Sequence, residues 1–99
     1  MNRIEHLLTC VAEECAEVQQ AVTKALRFGL NDGYPGTNRT NLGDLKKEIT
    51  DLCAVLEMLE DEGILYVEGT RRKEIDQKKA KVCEFMRYAE KVGTLEPKP

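Results

Sequence analysis

Glu13, Glu14 and Glu17 in the run EECAE, and Glu48 and Asp51 in the run EITD, are the residues of this chain best suited to chemistry. Carboxylates three residues apart on a helix stand on one face, with Cβ atoms about 5–6 Å apart. Hard divalent cations such as Mg²⁺ take ligand sets of carboxylate and water oxygens. Two such pairs on neighbouring helices would supply a metal site. Spacing alone decides little. With 18 acidic residues in the chain such pairs arise from composition, and Glu57 and Glu60 form a third one.

The elements that must position these residues follow from the apolar pattern. Ile4, Leu7, Leu8, Val11, Cys15, Val18, Val22, Ala25 and Leu26 recur in steps of three and four. This predicts an amphipathic helix over about residues 3–28, ended by Gly29. Residues 29–41 hold Gly29, Asn31-Asp32-Gly33, Pro35-Gly36 and Asn38, which is turn chemistry and reads as a hairpin loop. Asn41 is expected to cap a second helix over about 42–62, with Asp44 near its positive end. The stripe of that helix is Leu42, Leu45, Ile49, Leu52, Cys53, Leu56 and Leu59, and Gly63 closes it. Ile64 to Gly69 is too short to classify. Thr70 is expected to cap a third helix over about 70–92, with Ile75, Val82, Phe85, Met86, Ala89 and Val92 on one face. Gly93 ends it, and residues 94–99 read as a frayed tail. The expectation is a single all-α domain over residues 1–99, a helical hairpin plus a third helix.

On a helical wheel, Glu14 falls about 70° from the centre of its apolar stripe and Glu17 about 130°; Glu48 and Asp51 fall about 67° and 127° off theirs, in the same rotational sense. In an antiparallel hairpin, equal sense puts both pairs on one shared flank. Glu57 and Glu60 rotate the other way. Four carboxylates on one seam repel one another and resist burial, and bound cations relieve both penalties. The axial match is looser. The two pairs stand about five residues, or about 7–8 Å, apart when measured from the loop.

A net charge of −3 argues against binding a nucleic acid polymer, which needs a basic surface. It leaves room for an anionic small molecule held through cations. Cys10, Cys15, Cys53 and Cys83 form no CxxC pair and read as reduced, small apolar residues of a cytoplasmic protein. One histidine and this cysteine spacing do not make a zinc site. No secretory leader is expected, because the apolar stretch from Leu7 to Ala12 runs into Glu13-Glu14. No run approaches the ~20 apolar residues of a membrane span, so no membrane partner is expected.

EECAE on one helix and EITD on the next resemble the EExxE and ExxD motifs of the MazG-like all-α nucleoside triphosphate pyrophosphohydrolases. The resemblance covers both helices and the loop, and implies the third helix as well. The ending YAEKVGTLEP is similar to that of small phage-type members. The resemblance implies hydrolysis of a (deoxy)nucleoside triphosphate to the monophosphate and pyrophosphate. It also implies two or three Mg²⁺ or Mn²⁺ ions, and a homodimer or tetramer whose paired hairpins make a four-helix-bundle core. Glu14, Glu17, Glu48 and Asp51 then become metal ligands and carry catalysis. Glu13 points away from the seam, and its role stays open. Several family members carry a sugar-contacting asparagine just after ExxD, where this chain has Ala54.

Lys78 lies within the stripe of the third helix. It either snorkels or reaches substrate phosphates, and Lys81 at the stripe's edge is a second candidate for that role. Lys24, Arg27 and Arg39 read as surface charges, and so does His6. Tyr34 and Phe28 flank the loop and offer faces for a nucleobase, with core packing favoured for Phe28. dUTP, dCTP and phosphoribosyl-ATP all fit the motif as substrates. The competing reading is a non-enzymatic helical adaptor that uses the same stripes to bind a partner helix and the acidic flank for solubility.

Overall fold

The computed structural model describes residues 1–65 and 71–99. Three helices run in order: α1 (Arg3–Phe28), α2 (Asn41–Asp61) and α3 (Arg71–Lys91), with no strand among the described residues. The chain divides into two compact units, Met1–Leu65 and Tyr66–Pro99. The expected cap at Thr70 and the stretch up to Gly69 fall largely outside the described residues. No helix among the described residues is long and apolar enough to cross a membrane.

The first unit is the α1–α2 hairpin. Asn2 caps α1, its side-chain oxygen accepting the Glu5 N–H at 2.8 Å. Gly29 ends the helix with φ of 98°, a conformation L side chains disfavour. At the start of α2 the cap is Thr40, not Asn41: the Thr40 hydroxyl accepts the Gly43 N–H at 3.0 Å. Asn41 is instead the first helical residue, buried, and donates its amide N–H to the Gly29 carbonyl at 2.8 Å. The asparagine therefore ties the loop's two ends together, a tertiary use that took it from the capping role.

The hairpin seam differs from the centre of the apolar stripes. On α1 the covered or half-covered positions include Leu7, Val11, Glu14, Val18, Ala21 and Ala25; on α2 they include Asn41, Leu45, Glu48, Leu52, Val55 and Leu59. Both sets alternate steps of four and three, the spacing of a coiled-coil seam. Leu59 is fully buried, which stabilises the fold by about 1.5–3 kcal/mol. Leu8, Val22 and Leu26 on α1 and Ile49 on α2 stay exposed, all rotated to the same side of their seams. The stripes are wider than one helix contact. Each helix uses one edge of its stripe against the other and leaves the second edge open.

The register is set at both ends. The Arg3 guanidinium donates to Glu62 at 2.7 Å, and Glu17 stands beside Glu48 in the same register. Asn41 then falls opposite residue 24, so α1 overruns the start of α2 by about one turn. That overrun absorbs the axial offset between the acidic pairs.

The second unit is α3 with its C-terminal turn. None of its described residues is buried. The Thr94 and Leu95 N–H groups both return to the Ala89 carbonyl, at 2.9 and 3.2 Å, and close the helix. Val82, Phe85, Met86 and Val92 stay exposed.

Candidate metal centre

Glu14 and Glu17 sit one turn apart on α1, and Glu48 approaches from α2. One carboxylate oxygen from each lies within 4.8 Å of the other two. Glu14 and Glu48 occupy seam positions where their helices would otherwise place an aliphatic residue. Glu48 keeps 22% of its side-chain exposure, while Glu17 is exposed at the outer edge.

The hydrogen-bond accounting of this group is incomplete in one direction. The Oε2 atoms of Glu14 and Glu48 are both buried and have no donor among the described residues. A buried carboxylate oxygen without a donor is costly. Three acceptors that close attract only through a shared proton or a cation. The Glu48 carboxyl is accordingly pushed above its ordinary range, first by sharing a hydrogen bond with Glu17 and then by burial. The all-oxygen donor set, its anionic charge and its orphaned atoms fit a hard divalent cation such as Mg²⁺ or Mn²⁺.

Asp51 stands apart from these three. Its carboxylate accepts from Lys47 Nζ at 2.9 Å, one turn back on α2. The same ammonium is 4.0 Å from Glu48. Asp51 and Glu48 both raise the Lys47 pKa, Asp51 the more strongly through its hydrogen bond and its charge. Glu13 is exposed and lies outside the cluster, as its position on the wheel suggested. Lys78 and Lys81 are exposed residues of α3, in the unit that does not carry the carboxylates. Ala54 and His6 are exposed on their helices, and the four cysteines are free thiols.

Beside the cluster the flank opens into a cavity of about 470 Å³, with Glu17, Glu48 and Lys47 toward one end and Lys24, Arg39 and Asp44 further along. Sequence reasoning assigned Lys24 and Arg39 to plain surface and did not single out Lys47. A signal for Lys24 was present, since Glu17 and Lys24 are seven residues apart and share a face of α1. Arg39 comes from the loop, where no periodicity points to it.

Compared with known proteins, the chain matches no family model, no curated protein and no solved structure.

Proposed function

We propose that this chain is a metal-dependent nucleotide pyrophosphohydrolase that converts a (deoxy)nucleoside triphosphate to the monophosphate and pyrophosphate. The observation that carries the reading is the pair of buried, donorless oxygens of Glu14 and Glu48 within reach of Glu17. A solvated acidic flank turns its carboxylates outward; this one turns two of them into the helix seam. The EExxE and ExxD resemblance supplies the reaction class.

Glu14, Glu17 and Glu48 would hold Mg²⁺ or Mn²⁺, with Asp51 joining when Lys47 gives it up. The ion, when bound, supplies Lewis-acid polarisation of a phosphoryl oxygen and lowers the pKa of a water. The chain's own part is orientation. Glu14 and Glu48 project from helix backbone on the two sides of the seam, which brings their carboxylates within reach of one ion. Glu17 carries the cluster to the cavity's edge, where a phosphate chain has access.

The same reading includes a homodimer or tetramer with a four-helix core. Leu8, Val22, Leu26 and Ile49 form an uncovered apolar edge, Leu26 with 82% of its surface open. A second hairpin would cover it. The opposite flank, with the carboxylates, stays open to substrate.

The test is pyrophosphate release from a panel of canonical and modified nucleoside triphosphates with and without Mg²⁺ or Mn²⁺. Metal-dependent release is expected, and Glu48→Gln should abolish it while the helical circular dichroism is kept. Full activity in that variant would overturn the assignment. Silence across the panel, in folded protein whose melting temperature Mn²⁺ does not raise, would favour the adaptor reading.

A further inference from the structure

The cavity beside the carboxylates does not end at the cations. A second hollow of about 360 Å³ continues from it toward the loop, and Lys24, Arg39, Asn41 and Asp44 line both. Its far end carries Phe28 and Tyr34, 58% and 70% exposed, with the Arg27 guanidinium over one face of the Phe28 ring, 4.9 Å from its centroid. One flank of the hairpin therefore presents three chemistries in order: carboxylates, cations, aromatic faces.

The middle cations are not equivalent. Arg39 donates to both oxygens of Asp44, at 3.3 and 3.1 Å, and so holds a fixed place. Lys47 is committed to Asp51. The Lys24 ammonium has no ion pair or hydrogen bond among the described residues, yet it stands where the two hollows meet. An uncommitted ammonium between a metal-type cluster and an aromatic pair suits an anionic link between two ends of one ligand.

The aromatic end is built rather than loose. Thr37 donates its N–H and its hydroxyl to the Tyr34 carbonyl, at 3.2 and 2.8 Å. The Asn41 N–H donates to the Asp32 carbonyl at 2.7 Å. Gly33 passes so close to Arg39 that a Cβ would lie 1.6 Å from its carbonyl oxygen. Only glycine permits that approach, and it fixes Tyr34 and Arg39 on one short span of loop.

We infer that this hollow is the binding groove for the rest of the nucleotide: Lys24 takes phosphate oxygens, and Tyr34 with Phe28 takes the base. The ligand class is a planar heterocycle carrying a phosphoanhydride chain, oriented with the chain toward Glu17 and Glu48. This rests on the pyrophosphohydrolase reading and adds its substrate-holding residues, all from the hairpin.

The test measures binding by calorimetry in Mg²⁺, with two probes: inorganic triphosphate, and α,β-imido analogues of the common nucleoside triphosphates. Lys24→Met should weaken both probes about tenfold. Tyr34→Ala should weaken the nucleotide analogues about tenfold and leave inorganic triphosphate unchanged, and Tyr34→Phe should restore them. Mn²⁺ should raise the melting temperature equally in wild type and in all three variants. An unchanged ratio of nucleotide to triphosphate affinity in Tyr34→Ala would overturn the groove. So would Mn²⁺ stabilisation in a wild type that binds no analogue. Tyr34-dependent nucleotide binding without any Mn²⁺ stabilisation would instead overturn the carboxylate centre and leave the groove standing.

Discussion

Glu48 is the residue on which the metal-free protein's behaviour turns. Its carboxyl sits above the ordinary value of 4.5 because Glu17 shares its proton and the seam buries it. The native state thus holds this proton more tightly than the unfolded chain does. The stabilisation it contributes is fully present below 4.5 and is lost as pH rises through the elevated value. In EDTA, the melting temperature should therefore fall as pH climbs from the ordinary carboxylate range toward neutrality. On the proposed reading the fall should disappear in Mn²⁺, because a cation would take the proton's place. Glu48→Gln should flatten the EDTA profile, and thermal scans across pH check both. The seam position of Glu48 was written in the chain: stepping by three and then four from Leu45 to Leu52 lands on it, as the same steps from Val11 to Val18 land on Glu14. Averaging each helix's apolar residues into one direction placed both acids at the stripe's margin, because that average mixes the seam with the uncovered edge.

At the scale of elements, α1 and α2 follow from their 3.6-residue periodicity, and their ends match expectation to within a residue. The loop was legible only as a loop. Its Gly, Asn and Pro content announces turns without saying which backbone groups will meet, and the contacts that order it are tertiary. Asn41 shows the difference: its side chain satisfies any local capping rule, yet it bonds to Gly29 twelve residues away. Gly33 is the sharpest case, since its need for glycine comes from Arg39 and not from a positive φ. Gly33→Ala should displace the loop while sparing the carboxylates. Nucleotide affinity should drop about tenfold or more, the Mn²⁺-induced rise in melting temperature should remain, and hydrogen exchange should quicken at Asn41 and Leu42, whose N–H groups bond to Asp32 and Leu30.

Across the whole molecule, the open apolar edge decides what the hairpin needs. Two helices with a 4–3 seam and only a handful of buried side chains make a thin core. Exposed Leu8, Val22, Leu26 and Ile49 continue that core outward. On the proposed reading, Leu26→Glu should convert the oligomer to monomer in sedimentation velocity and lower its melting temperature, because the edge then faces water. The width of the stripes already held this information, since a helix that buries one side against one neighbour has no use for apolar residues spread over two. On the proposed reading that width does not fix how many copies assemble, as a dimer and a tetramer would both cover the same edge.

The Lys47–Asp51 pair carries a consequence for the order of events in the cell. An acidic seam without a counterion would push its own helices apart until metal arrived. Here a lysine one turn away partly neutralises it, at 2.9 Å from Asp51 and 4.0 Å from Glu48. On the proposed reading the hairpin would close first and load afterwards. Loading would then be an exchange, a tethered cation swung out for a free one, and the released ammonium would be left beside the cavity where an incoming anion would meet it.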